Sequence, residues 1–181
     1  MNLLEQEGFI ERIHGKGMFV LSNSESNIYI LNNEKSDSIL GFSREFKNNV
    51  KISSKLIKFH TKKAGKRIGK FLGIDENDEI YFIRRVRLMD NIPVLVEDSN
   101  IPLKIINKIP KEVLETGSLY EYIEKITDKK ITDADSIIEA SLFNEELAEL
   151  LEIKAGSPML KISEVTRLDD KRAFNYSYSY N

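Results

Sequence analysis

Apolar and polar residues alternate along much of the chain after residue 50, and this two-residue period is typical of half-buried β-strands. The pattern predicts strands at 51–61, 80–89, 93–97, 132–142, 159–168 and 173–180. Helical spacing predicts helices at 43–48, 65–72, 118–126 and 145–151. Six antiparallel strands with helices on one side give an α+β fold.

The same order of elements occurs twice, and a shift of 79 positions aligns the two halves. Five identical apolar pairs coincide at this shift: Ile52 and Ile131, Leu72 and Leu151, Ile74 and Ile153, Ile83 and Ile162, Val86 and Val165. Self-similarity at one offset favours a pseudo-duplicated domain with a pseudo-two-fold axis. The alternative is that any two amphipathic helix-and-strand units align in part.

Residues 8–20 predict a small β-hairpin near the start of the chain. Apolar residues fit both arms, and glycines supply the freedom that the turn needs. The tip carries Arg12, His14, Gly15, Lys16 and Gly17. A basic tip commonly lies against nucleic-acid phosphate, although an ordinary surface turn has the same pattern. The polar stretch at 24–38 is interpreted as a linker.

Composition excludes several classes of protein. Of the 181 residues, 41% are hydrophobic, which is enough for a core, and the formal charge of −2 argues against a wholly basic nucleic-acid binder. The absence of cysteine excludes disulfide and thiolate chemistry and fits a cytoplasmic protein. No apolar run is long enough to cross a membrane. Neither His14 nor His60 has metal-ligand spacing, so we expect no metal and no cofactor.

Arg85 and Arg87 share one face of the predicted strand at 80–89, about 7 Å apart. Their planar guanidinium groups suit a carboxylate or a phosphate, whereas a solvated sheet face is the plain alternative. Glu97 lies on the next strand. A regular two-residue turn pairs Arg85 with Val96 and turns Glu97 away, but one bulged residue sets Arg85 against Glu97. The sequence leaves both registers open.

The repeat extends this candidate site to the second half of the chain. At the 79-residue shift, the three charged positions correspond to Glu164, Thr166 and Tyr176. If the halves face each other, they form a polar cavity that holds an anionic group at one end and hydroxyls at the other.

Two further features each have two interpretations. Ser43 and Ser118 open predicted helices, whose free N–H groups either hold an anion or are simply capped. Tyr176, Tyr178 and Tyr180 share one strand face, where packing is the default and stacking on a ligand comes second.

Several motifs resemble a family of bacterial transcription regulators. Residues 3–20 resemble the end of the recognition helix and the wing of the winged helix-turn-helix domain in GntR-type regulators. From about Ile39 onward, the chain resembles the UTRA ligand-binding domain of the HutC branch. The motifs are Gly41-Phe42-Ser43-Arg44-Glu45, Ile83-Arg84-Arg85-Val86-Arg87-Leu88-Met89-Asp90, Glu97-Asp98-Ser99-Asn100-Ile101-Pro102 and Gly117-Ser118-Leu119-Tyr120.

The resemblance implies a chorismate lyase-like domain that binds a small anionic effector, such as a sugar phosphate or a carboxylic acid, and so controls DNA binding. It implies effector contacts at Phe42, Ser43, Arg85, Arg87, Glu97, Ser118, Tyr120, Tyr176 and Tyr180, to which the repeat adds Glu164. Asn175 stands where many members of the family have a carboxylate.

We therefore expect 1–23 to be a remnant of the winged helix-turn-helix domain, 24–38 a linker and 39–181 the effector-binding domain of a repressor. We expect a cytoplasmic homodimer. DNA binding belongs to the full-length regulator and is expected to be weak or absent in this chain. A lyase-like enzyme and a pure dimerisation module are the alternatives, although no acid/base pair or nucleophile arrangement supports catalysis.

Overall fold

A computed structural model describes residues 10–13, 17–20, 29–32 and 51–181. The strands of this part of the chain are β1 (Ile10–Ile13), β2 (Gly17–Val20), β3 (Tyr29–Asn32), β4 (Ile52–Lys63), β5 (Glu79–Met89), β6 (Ile92–Pro102), β7 (Ile131–Leu142), β8 (Pro158–Leu168) and β9 (Ala173–Tyr180). Its helices are α1 (Gly65–Leu72), α2 (Lys111–Glu115), α3 (Leu119–Thr127) and α4 (Glu145–Leu151). The predicted helix at 43–48 lies outside the described residues.

The described strands form two antiparallel sheets. β1 pairs with β2, so the predicted N-terminal hairpin is present. The other seven strands form one sheet in the order β3-β7-β8-β9-β6-β5-β4. The six predicted strands of this sheet are confirmed, and β3 adds a seventh by pairing with β7. β3 lies inside the stretch interpreted as a linker, and the domain boundaries stay predictions.

Capping and turn residues set the ends of these elements. α1 ends at Gly73, whose φ of 66° is the left-handed conformation that glycine adopts without strain. Ser118 caps α3 and Asn144 caps α4, each by accepting a backbone N–H of the first turn. The β5–β6 hairpin turns at Asp90 and Asn91, both with positive φ, as the right-handed twist of the strands favours.

The internal repeat is present in the fold. β7 and β8 begin and end 79 residues after β4 and β5. The first half contributes β4, β5 and β6, and the second half contributes β7, β8 and β9, each in order from the outside of the sheet inwards. The last strands of the two halves, β6 and β9, therefore pair at the centre. α1 packs on β9 and α4 packs on β6, so each half places its helix on the central strand of the other half.

Helices cover both faces of the sheet, which corrects the expectation that they lie on one side. Side chains alternate along β5, so Ile83 points to one face and Val86 to the other. Ile83 packs with Leu119 of α3, whereas Val86 packs with Leu147 of α4. Because β5 carries buried apolar residues on both faces, both must be covered. We call the face with Ile83 and α3 the site face, and the face with Val86 and α4 the opposite face.

Candidate functional site

A β-bulge between β5 and β6 decides the register that the sequence left open. Arg87 pairs with Leu95 and Leu88 pairs with Pro93, so one residue of β6 is left unpaired between them. Beyond the bulge, Arg85 pairs with Glu97. Both side chains therefore lie on the site face.

The two arginines of this face are almost fully buried, each at 2% exposure. Arg85 Nη2 donates to Glu97 Oε2 at 2.9 Å, and its Nη1 donates to the Leu114 carbonyl at 3.4 Å. Arg87 Nη1 donates to Ser54 Oγ at 2.8 Å, and its Nε lies 4.0 Å from Glu97 Oε2. One carboxylate thus lies against both guanidinium groups.

Burial and mutual charge shift the pKa values of this cluster in opposite directions. Burial lowers the pKa of Arg87 to about 10, against the attraction of Glu97 and together with the repulsion of Arg85. Burial raises the pKa of Glu97, but the charges of Arg85 and Arg87 outweigh it and hold that pKa below its ordinary value. At neutral pH, Arg87 and Glu97 are therefore both ionised.

Hydrogen-bond acceptors dominate the part of the site face that the second half supplies. Glu164 accepts from Ser136 at 2.7 Å and from Thr166 at 3.2 Å. The Tyr120 hydroxyl lies 3.1 Å from Thr166 Oγ1. Burial raises the pKa of Tyr120, and the negative charges of Glu164 and Glu97 add to this rise. Tyr120 therefore stays a neutral hydroxyl at physiological pH.

Serines join the two ends of the site face. Glu97 pairs across the sheet with Ser179, and Ser99 pairs with Ser177. Ser177 in turn pairs with Glu164 on β8. Sequence reasoning missed this row, together with Ser54 and Ser136. The signal that could have found the β9 serines is their strict alternation with tyrosines at 176–180, since one face of that strand must then be polar.

Tyr176 and Tyr180 lie on the opposite face, away from Arg85, which corrects their expected place in the site. Tyr176 is 2% exposed, and its ring stacks on Phe71 of α1 at 4.5 Å. Tyr180 packs against the cluster of Val86 and Val96.

A one-residue difference between the β5–β6 and β8–β9 hairpins explains why the sequence wrongly placed Tyr176 on the site face. Four residues separate the paired Leu88 and Pro93, whereas five separate the paired Arg167 and Ala173. The shift between the halves is therefore 79 residues before this loop and 80 after it. The structural counterpart of Glu97 is Ser177 and not Tyr176, because one extra residue turns every following side chain to the other face.

The remaining predicted positions are placed as follows. Ser118 Oγ accepts from Glu121 N at 3.3 Å and so caps α3. Arg12 and Gly17 belong to β1 and β2. Phe42, Ser43, His14, Gly15 and Lys16 lie outside the described residues.

Within the described ranges, no group of three acidic, histidine or cysteine side chains could hold a metal ion. Among the described helices, none is long and apolar enough to cross a membrane.

Comparison with known proteins identifies the family. The UTRA domain matches residues 47–181. The chain belongs to the UTRA-domain family of GntR-type transcriptional regulators. Regulators of this family bind small-molecule effectors and DNA, and this UTRA domain is an effector-sensing regulatory domain.

Curated relatives of the UTRA chain are transcription regulators. The uncharacterized HTH-type regulator YydK of Bacillus subtilis (strain 168) is 30% identical over 183 residues, covering 100% of this chain and 74% of YydK. The B. subtilis HTH-type transcriptional repressor NagR is 27% identical over 177 residues, covering 97% and 70%. MngR of Escherichia coli (strain K12), the mannosyl-D-glycerate transport/metabolism system repressor, is 27% identical over 175 residues, with the same coverage.

Solved structures agree with this assignment. The crystal structure of YydK superimposes on the UTRA chain with a TM-score of 0.71 at 28% identity, covering 99% of this chain and 75% of YydK. A GntR-family regulator from Enterococcus faecalis V583 gives a TM-score of 0.66 at 27% identity, covering 71% of this chain and 91% of that one. The chorismate lyase-like α+β fold predicted from the motifs is confirmed.

Proposed function

We propose that this domain binds a small anionic metabolite on the site face, without turnover, and that binding controls the attachment of the regulator to DNA. The observation that carries the proposal is Arg85. Its guanidinium is buried, and its Nε has no hydrogen-bond partner among the described residues. A buried cationic donor left unsatisfied costs about 1–3 kcal/mol, and an anionic ligand removes that cost.

The proposed ligand carries a phosphate or carboxylate at one end and hydroxyls at the other. Arg85 and Arg87 supply donors for the anion. Glu164 on β8, three strand positions away from β5, and the Tyr120 hydroxyl supply groups for sugar-type hydroxyls. The name of MngR refers to mannosyl-D-glycerate, a sugar joined to an acid, and so supports this combination. The Ser118 N-cap, Phe42 and Ser43 are proposed as further contacts.

Two copies of the chain are proposed to associate, in the cytoplasm, as a symmetric dimer. An effector that binds one arrangement of the dimer more tightly than another shifts the population towards it. That shift moves the attached DNA-binding domains and so couples the two ligands. Sedimentation at two protein concentrations tests the association.

Thermal stabilisation by a panel of hexose phosphates, sugar acids and their neutral parent sugars tests the effector proposal. A ligand at 100 times its Kd is expected to stabilise the domain by about 2.7 kcal/mol. The anionic members should stabilise the domain, the neutral sugars should not, and the ligand should be recovered unchanged.

The Arg85→Ala variant is expected to lose about 10–100-fold in affinity for the stabilising ligand, since hydrogen bonds to charged groups contribute about 1.5–3 kcal/mol. Arg84→Gln is the matched control. Arg84 is the neighbouring residue, but it lies on the opposite face and pairs there with Asp98. The Arg84→Gln variant should be less stable than the parent but should bind the ligand with the same affinity. Parental affinity in Arg85→Ala, measured by titration calorimetry, contradicts the proposal.

A further inference from the structure

One short segment holds a large part of the positive charge of the protein. Residues 51–70 contain eight Lys and Arg, one His and no acidic residue. The rest of the chain contains nineteen basic and twenty-nine acidic residues, which is a formal charge of −10. The segment comprises β4, at the edge of the sheet, and the helix α1 that follows it.

A β-bulge brings three of the four lysines of β4 to one face, whereas Lys63 lies on the other face and donates to Asn77. Lys55 and Lys58 are three residues apart and would lie on opposite faces of a regular strand. The register shifts between Leu56 and Lys58, so Lys55 pairs with Val86 and Lys58 pairs with Arg84. Val86 and Arg84 both belong to the opposite face. His60 and Lys62 follow on that face, so four basic side chains project from it along about 20 Å of strand.

α1 begins two residues after the end of β4 and adds further lysines on the same side of the sheet, where the helix packs on β9. Leu72 of α1 packs inwards with Ile80 and Tyr176 of the opposite face. Lys66 and Lys70 are four residues apart and therefore share the solvent side of the helix, where both are exposed. We define the β4–α1 basic surface as Lys55, Lys58, His60, Lys62, Lys66 and Lys70.

Acidic neighbours neutralise only part of this surface. Glu146 of α4 pairs with Lys58 at 3.2 Å and also with Arg84. The acidic turn at 75–79 adjoins the start of α1, and its Asp78 pairs with Lys104 at 2.8 Å. Lys55, Lys66 and Lys70 form no ion pair with a described residue. These three lysines therefore present solvated positive charge that a partner can use.

Protection of an edge strand accounts for only part of the pattern. Lysines on an edge strand discourage pairing with other chains. Such protection needs no preference for one face, and it does not involve the lysines of a neighbouring helix. A one-sided array of flexible cations instead suits a polyanion with regularly spaced charges.

We propose that the β4–α1 basic surface contacts the phosphate backbone of duplex DNA. Regulators of this family bind DNA, which favours this polyanion over others. Duplex DNA carries one phosphate per about 3.4 Å of axis on each strand, so about 20 Å of β4 faces about six phosphates. Lysine acts as a point charge, so the contact adds affinity without reading sequence. The effector site lies on the other face of the sheet and does not depend on this contact.

The test compares two triple variants in binding to a random-sequence DNA duplex, measured by fluorescence anisotropy between 50 and 200 mM salt. One variant is Lys55→Gln, Lys66→Gln and Lys70→Gln. The matched control is Lys108→Gln, Lys125→Gln and Lys154→Gln, which removes the same charge from exposed lysines elsewhere. Unchanged melting temperatures confirm that both variants are folded.

Loss of three phosphate contacts is expected to make the slope of log K against log salt shallower by about 2.7. Between 50 and 200 mM salt, the variant should therefore lose about 40-fold less affinity than the parent. The control variant should keep the parental slope. Equal effects of the two variants overturn the proposal, because net charge alone would then explain binding. It is also overturned if the parent does not bind duplex DNA at 50 mM salt, or binds anionic vesicles or single-stranded RNA more tightly.

Discussion

Two neighbouring arginines of β5 have different roles because they point to different faces. Arg84 pairs with Asp98 through two contacts of 2.7 Å on the opposite face and extends to Glu146, so its donors are engaged in structure. Arg85 pairs with Glu97 on the site face and keeps a buried donor. Residue type and spacing do not separate these roles, whereas the direction of the side chain does.

Glu97→Gln is expected to make stability less dependent on acid pH. The folded-state pKa of Glu97 lies below its ordinary value of 4.5, so its ion pairs stabilise the fold above that pH and are lost as the pH falls through the lower folded value. At pH 7, the free energy of unfolding of the parent should exceed that of the variant by about 2 kcal/mol. Urea unfolding should find that this difference shrinks between about pH 5 and pH 3. A constant difference would exclude the role of ionised Glu97.

The two related helices α1 and α4 end in the same backbone conformation with different residues. Gly73 follows α1 with φ 66° and ψ 34°, and Glu152 follows α4 with φ 58° and ψ 36°. The left-handed region costs a residue with a side chain about 1 kcal/mol, whereas glycine enters it freely. The second repeat therefore carries strain at its C-cap that the first repeat avoids.

Glu152→Gly is accordingly expected to stabilise the protein by about 0.5–1 kcal/mol, because glycine relieves the strained C-cap of α4. Gly73→Ala should have the opposite sign and a similar size. Thermal unfolding of both variants measures the pair. A destabilised Glu152→Gly variant would mean that interactions of the Glu152 side chain outweigh the backbone term.

The halves of the molecule are bound together by the exchange of their helices. α1 covers β9 and α4 covers β6, so neither half buries its central strand by itself. Unfolding is therefore expected to be a single cooperative transition. An effector on the site face then acts on a sheet that responds as one unit.

Leu147→Ala tests this coupling. Leu147 lies on α4 and packs with Val86 and Val96 of the first half, so truncation should cost about 2–4 kcal/mol. Hydrogen exchange should find that β5 and β8 lose protection together. Leu142→Ala is the control, because this leucine is 63% exposed and its truncation should cost less than about 0.5 kcal/mol. Lost protection confined to the second half would contradict the coupling.

At the whole-molecule scale, the sequence by itself determined six strands of the large sheet, three of the four described helices, the repetition and the family, but neither β3 nor α2. Alternating apolar residues located six strands, a single offset revealed the two halves, and the two-residue spacing of Arg85 and Arg87 placed both on one face. Each of these features is encoded within a few neighbouring residues or by direct identity, so no distant contact is needed to find it.

Only the tertiary structure decided which face each later side chain occupies. The bulge in β6 turned Glu97 towards Arg85, and one extra residue in the second hairpin turned Tyr176 away and Ser177 inwards. The bulge in β4 gathered Lys55 and Lys58 on one side. A change of one residue inverts a strand, and whether it occurs depends on packing across the whole sheet, which local periodicity does not record.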